Sequence, residues 1–295
     1  GSFTLGGADA AKVENGILTV SAAMKKPGAN AWDGKAKTEP QKDESGVYLI
    51  GTAAELAWFA QAVNGGSISI NAVLTADIEL AGFDWTPIGS NSKKYAGIFD
   101  GAGHVISDLY INKTGKETYQ GLFSYLAAKA VVRNLAVTGN VSIAGNYAGG
   151  IAGYMFNGSS IENCYSAVNV TAGKWAGGIA GGGQSLKANL KNCYNAGRIS
   201  ATGSAGYAGG ITSCGGTTSI CPTLDSCYNV GAVTSQSKKV VGALVSGTGT
   251  VTNSYYLEGS CPDETVKRGT AAPASELRRM VEAKEHPFKD QMLAV

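Results

Sequence analysis

The chain is poor in the residues that usually carry chemistry. It has two histidines, His104 and His286, and neither sits in a His-Glu-x-x-His zinc motif. Charged residues make up 16% of the 295 positions, with 24 basic against 22 acidic and the lysines and arginines scattered. No basic stripe marks a nucleic-acid footprint. No apolar run approaches the ~18 residues of a membrane span, and no signal peptide is visible. Gly1-Ser2 reads as an expression scar, so the chain is expected to be an excised piece. Nor is there a cofactor motif: Gly177-Gly-Ile-Ala-Gly-Gly-Gly183 lacks the Lys-Ser/Thr of a phosphate loop.

What is abundant is glycine, 42 residues, in register with apolar positions in a chain that is 44% hydrophobic. Tyr147-Ala-Gly-Gly-Ile-Ala-Gly153 returns as Trp175-Ala-Gly-Gly-Ile-Ala-Gly181 and as Tyr207-Ala-Gly-Gly-Ile-Thr-Ser213. Each copy is followed by Asn163-Cys164-Tyr165, Asn192-Cys193-Tyr194 or Ser226-Cys227-Tyr228. A motif returning about every 28 residues marks a stacked repeat. Aligned columns hold Phe99, Phe123, Ile151, Ile179, Ile211, Leu244; then Ile106, Val132, Ile161, Leu190, Leu224, Val251; then Leu109, Leu135, Cys164, Cys193, Cys227, Ser254. Segments this short bury a face only when stacked coil on coil. The expected fold is all-β: a right-handed parallel β-helix (β-solenoid) of about six coils with short capping helices at both ends.

The expected organisation is a strand and loop lead-in of uncertain fold over residues 1–46, then a capping helix and first strands over 47–94. Solenoid repeats follow over 95–258, and a C-terminal loop and capping helix over 259–295. Thr52-Ala-Ala-Glu55 has capping-box spacing and opens a helix Ala53–Asn64. Ser275–Glu285 is the second helix, and Gly16–Val20 includes a strand. The column Asp108, Asn134, Asn163, Asn192, Ser226, Asn253 fits turns satisfied by short polar side chains.

These residues resemble the GLUG-type repeats of bacterial cell-surface proteins, including the non-catalytic repeat region of IgA-peptidase-like proteins. The resemblance is carried by Gly121-Leu-Phe-Ser124, the Ala-Gly-Gly-Ile-Ala-Gly copies, Asn192-Cys-Tyr-Asn195 and the lead-in Trp85-Thr-Pro-Ile-Gly89. It implies a bacterial protein that is secreted or cell-wall-attached, with an adhesive or spacing role. It implies no catalytic residue, and the relatives' zinc-peptidase motif has no match here.

Among candidate residues, Tyr119, Tyr147, Trp175 and Tyr207, with Tyr95 before them in the same column, precede the repeat glycine by two positions. They form either a packing stack or an aromatic strip that binds a host or bacterial glycan or protein. Alternation from Ile151 points Tyr147 inward, which favours packing. Tyr165, Tyr194, Tyr228 and Tyr255 form a second column, read the same way. Cys164, Cys193 and Cys227 read as buried thiols. Cys214, Cys221 and Cys261 lie off the ladder and are the disulfide candidates, as Cys214–Cys221 or Cys221–Cys261. Arg133, Glu162, Lys191 and Asp225 form an alternating-charge strip better suited to solubility than to catalysis. Asp77, Glu79, Asp84 and Asp100 match no calcium-loop spacing, and no metal site is expected. The resulting expectation is a non-enzymatic extracellular module. The alternative is a polysaccharide hydrolase or lyase on the same fold, which needs clustered carboxylates in a groove.

Overall fold

A computed structural model describes three strands between residues 3 and 20, and residues 32–183, 187–214 and 221–294. The chain divides into two compact units, Gly1–Asn30 and Ala31–Val295. In the first, Phe3–Leu5, Asp9–Glu14 and Ile17–Val20 form an antiparallel sheet in chain order. The expected lead-in ran to residue 46. The strand Gln41–Lys42 instead pairs antiparallel with Tyr48–Ile50, so residues from Trp32 onward join the second unit.

The second unit is a parallel β-solenoid of about six coils. Its longest sheets hold nine and ten strands, each paired with its equivalent one coil away; only the Gln41–Lys42 edge is antiparallel. In the first of these sheets Phe99, Val132, Ile161, Leu190, Leu224 and Val251 are in direct register. This corrects the expected alignment of the first coil. Phe99 heads the Val132 column rather than the Ile151 column, and Ile106 stands opposite Val137. Gly97-Ile-Phe99 is therefore no degenerate copy of the repeat. Its likeness to Gly121-Leu-Phe123 is local, and the ladder, which sees three-dimensional register, overrules it.

At each corner between the two long sheets one residue takes the left-handed conformation. Asn134, Asn163, Asn192, Ser226 and Asn253 have φ of 51, 52, 51, 57 and 47°. Asparagine tolerates this region better than other non-glycine residues. Its amide also closes a ladder: Asn192 donates to Asn163 at 2.9 Å, Asn163 to Asn134 at 3.1 Å, and Asn134 to Asp100 at 3.0 Å. The following column, Leu135, Cys164, Cys193, Cys227, is fully buried. Burial pushes the Cys193 and Cys227 thiols well up, away from reactive thiolate.

Helix α1 (Ala53–Gly65) begins with a complete capping box between Thr52 and Glu55. It turns Leu56, Phe59 and Val63 into the first coil, where Phe59 meets Tyr95 and Phe99 at 5.9 and 5.8 Å. At the far end the work is divided differently from expectation. The edge strand Val240–Gly242 is closed by a loop: Val241 N–H donates to the Thr265 hydroxyl, and Ala243 N–H to the Glu264 carboxylate. Helices α2 (Ala274–Glu282) and α3 (Lys289–Leu293) lie along the flank, in one apolar cluster with Tyr165, Tyr194 and Tyr228.

Candidate functional site: the aromatic corner

Tyr119, Tyr147, Trp175 and Tyr207 stand one above another on successive coils. Neighbouring ring centroids lie 5.2, 4.2 and 5.8 Å apart, with ring planes within 14, 7 and 11° of parallel. All four side chains are half-buried, unlike the fully buried Ile151 and Ile179. Tyr147 does not point inward as alternation suggested. Its φ is 61°, and that of Tyr119 is 59°. A left-handed residue breaks the period-two alternation, so counting back from Ile151 gives the wrong face. Gly182 completes the seat: a Cβ there would come within 2.7 Å of the Tyr147 ring.

A second, shorter pair abuts this stack. Tyr125 and Tyr154 lie 4.9 Å apart and meet the stack edge to face, Tyr119–Tyr125 at 5.2 Å and Tyr147–Tyr154 at 5.0 Å. Phe156 extends the patch and is 38% exposed. Lys174 sits 3.9 Å over Trp175 and Lys94 sits 4.9 Å over Tyr125, contacts of the cation–π kind. Burial raises the Tyr147 and Tyr154 phenols and holds Tyr125 at about 12. The hydroxyls are therefore neutral donors and acceptors at pH 7. The indole N–H of Trp175 is buried without a partner.

This geometry limits what the corner can do. The rings stack on one another, so their π-faces are mutually covered. What faces outward is ring edge, phenol hydroxyl and flanking ammonium. Sugar rings cannot lie flat between them. A partner would be met by edges and hydrogen bonds, the manner in which tyrosine-rich surfaces meet proteins. Tyr125, Tyr154 and Phe156 were missed in the sequence. The available signal was a tyrosine four residues after Gly121 and one after Gly153, in equivalent strands.

The other candidates are placed apart from this corner. Cys214 and Cys221 are joined, with Cα atoms 5.7 Å apart, while Cys261 is free and buried. The stretch Thr212-Ser-Cys-Gly-Gly-Thr-Thr-Ser-Ile-Cys221 replaces the regular repeat turn, which suggests a protruding loop; residues 215–220 lie outside the described residues. Arg133, Glu162, Lys191 and Asp225 do stand in one row across four coils, extended by Asp100, which bonds Arg133 at 2.8 Å. The first-coil carboxylates are dispersed into separate contacts: Asp77 with His104, Asp84 with Lys113, Asp100 with Arg133 and Asn134. Among the described residues no cluster suits a metal ion.

Residues 144–171 match the GLUG motif. The chain resembles GLUG-repeat surface proteins. The matched segment is a single coil, running from just before Tyr147 to the end of the second long sheet. A "Putative Gly-rich membrane protein" of Evansella cellulosilytica is 35% identical over 96 residues, 32% of this chain. "Halomucin" of Haloquadratum walsbyi is 30% identical over 148 residues, 45% of this chain. The matches span only 11% and 2% of those relatives' own lengths. The crystal structure of a "putative immunoglobulin A1 protease" from Bacteroides ovatus superposes with a TM-score of 0.60, covering 83% of this chain and 89% of that one. At 23% identity it supports the fold alone. No helix among the described residues is long and apolar enough to cross a membrane.

Proposed function

We propose that this chain is a non-enzymatic repeat module of a bacterial surface protein, secreted or wall-attached, acting as a rigid spacer that carries an adhesive face. The observation that carries the reading is the aromatic corner. Tyr119, Tyr147, Trp175 and Tyr207 remain half-exposed, whereas Tyr165, Tyr194 and Tyr228 of the second column are buried against α2 and α3 and only Tyr255, at its end, is half-buried. The named surface relatives and the GLUG coil support the setting. The partner is a host or bacterial protein or glycan, and the covered π-faces weigh toward protein.

A carbohydrate-active enzyme on this scaffold finds no observation in its favour. The carboxylates of the charge row alternate with Arg133 and Lys191 instead of converging as an acid–base pair. The test is a binding screen against host-matrix proteins and a glycan array, with wild type, Trp175→Ala and Tyr147→Ala in parallel. The reading expects at least one ligand lost in both variants while circular dichroism stays unchanged. Ligands bound equally by all three forms would remove the corner from the account.

A further inference from the structure

The donors and charges of the aromatic corner are one-sided. Tyr119, Tyr147, Tyr154 and Tyr207 are all half-buried, so their rings are held while their edges meet solvent. Among the described residues none of these four hydroxyls has a hydrogen-bond partner, and none is sealed from solvent. Elsewhere the chain uses such groups internally. Tyr95 donates to Ile70 O at 3.0 Å, Tyr194 to Met292 O at 3.4 Å and Tyr256 to the Glu264 carboxylate at 3.0 Å. The corner thus holds out neutral O–H donors whose acceptors must come from outside the protein.

Positive charge is present there and negative charge is scarce. Lys174, half-buried, holds its ammonium 3.9 Å over Trp175 at mid-column. Lys94, also half-buried, sits 4.9 Å over Tyr125, whose ring meets Tyr119 edge to face at 5.2 Å. Neither ammonium has a carboxylate partner among the described residues. Lys94 is tied further, donating to Asn91 O at 2.6 Å. Seated on rings in this way, both side chains have less rotamer freedom to lose than a free surface lysine. Residues 143–158, 172–183 and 201–214, which carry most of the rings, contain no Asp or Glu. Glu117 precedes Tyr119 by two residues, but its carboxylate folds back over Gly115, with Oε2 2.7 Å from where a Cβ would stand.

A carboxylate is the group this surface lacks and fits. Its oxygens only accept, and hydrogen bonds from O–H or ammonium to an ionised acceptor are roughly twice as strong as neutral ones. Length narrows the ligand further. From Tyr119 to Tyr207 the column climbs three coil steps of roughly 4.8 Å, the reach of about four residues of extended chain. Side chains on one edge of such a chain recur about every 6.7 Å, so acidic residues at alternate positions all face the column. Phe156, 38% exposed at the margin, offers apolar surface to a neighbouring side chain. A second copy of the corner fits poorly, since two-fold pairing sets phenols and ammoniums against their own kind. A saccharide fits poorly because the stack covers its own π-faces.

We infer, resting on the adhesive reading of the corner, that it docks an extended acidic segment of a partner protein. The Asp and Glu carboxylates of that segment accept from the phenol hydroxyls and meet the Lys94 and Lys174 ammoniums.

The probe is a fluorescein-labelled octapeptide of alternating Glu and Val, compared with its Gln–Val counterpart by anisotropy on the whole chain at neutral pH and low ionic strength. The Glu peptide should bind at least about tenfold more tightly than the Gln peptide. Tyr147→Phe/Tyr154→Phe keeps both rings and removes two hydroxyls; it should weaken the Glu peptide at least about fivefold and leave the Gln peptide unchanged. Lys94→Met/Lys174→Met should weaken the Glu peptide about tenfold or more. Arg278→Gln/Arg279→Gln, on the helix over the other tyrosine column, should change neither. Circular dichroism checks that each variant is folded. Equal affinity for the two peptides, no binding up to about 1 mM, indifference to loss of the hydroxyls, or equal weakening by the α2 pair would each overturn the acidic partner. So would polygalacturonate displacing the labelled peptide as well, per carboxylate, as unlabelled Glu peptide does. If ligands from the binding screen need Trp175 and Tyr147 while the acidic peptide fails, the corner stays adhesive and only its acid preference falls. If no ligand needs the corner, both readings fall.

Discussion

Two aromatic ladders climb this solenoid, and the chain treats them in opposite ways. Tyr165, Tyr194, Tyr228 and Tyr255 stack at 5.7, 6.2 and 5.6 Å along one flank. Over Tyr165, Tyr194 and Tyr228 that flank is sealed by α2 and α3, with Tyr255 half-buried at its end: Phe288 lies 6.4 Å from Tyr165, and the Tyr194 hydroxyl donates to Met292 O at 3.4 Å. Tyr119, Tyr147, Trp175 and Tyr207 stack just as regularly on another corner, yet no described helix covers them. The repeat generates both columns by the same device, one aromatic per coil. The difference is that α2 and α3 are spent on one of them. A stacked ladder is thus a consequence of repetition, and only its covering or exposure separates a seam from a surface.

The contrast can be broken most forcefully at the cover. Phe288→Ala removes a fully buried ring from the α2–α3 contact and is expected to cost about 3–5 kcal/mol. Denaturant unfolding would read this, together with dye binding to the newly exposed tyrosines. Next comes the pair Tyr194→Ala and Trp175→Ala. The covered Tyr194 should cost about 3–5 kcal/mol as a buried ring. Trp175, which makes two stacking contacts at a half-exposed position, should cost about 1–3 kcal/mol. Equal losses in calorimetry would erase the distinction between the ladders.

Acid probes the same cover more gently. His286 donates from Nε2 to Asn192 O at 3.0 Å and accepts at Nδ1 from Phe288 N–H at 3.1 Å, so its ring is neutral in the folded state. Desolvation lowers its pKa below the usual 6.5, helped by Lys284 nearby. With a depressed folded pKa, its contribution is intact above pH ~6.5 and is lost as pH falls toward the folded value. Hydrogen exchange at Lys289–Leu293, corrected for intrinsic rate, should quicken between pH 7.5 and 5.5 relative to the solenoid core. In His286→Gln this pH dependence should flatten. The smallest effect belongs to Lys174→Met, which deletes a half-buried cation–π contact worth about 0.5–1 kcal/mol; chemical denaturation should register a loss of that size, with the covered column unmoved.

Much of this architecture could be read from the chain because repetition converts local similarity into register. The Val132–Ile161–Leu190–Leu224–Val251 column and the polar turn column from Asn134 to Asn253 follow directly from aligning copies, though the left-handed conformation of that turn does not. Reading failed where the repeat decays. In the first coil Phe99 imitates a repeat position that it does not occupy, and only the ladder with Val132 reveals this. Tyr147 was misdirected because a positive φ is invisible to a counting rule. Helix α3 and its partner's lateral seat were illegible, since the tyrosines that receive them, Tyr165, Tyr194 and Tyr228, are contributed by coils far earlier in the chain.

The central claim, that one ladder is sealed and the other open, can be measured on the native protein by limited tyrosine nitration read by peptide mass spectrometry. The account predicts modification of Tyr119, Tyr147 and Tyr207 while Tyr165, Tyr194 and Tyr228, at 5, 3 and 3% exposure, are spared until the protein is unfolded. Equal modification of the two columns in the folded state, or preferential modification of Tyr194 and Tyr228, would contradict it.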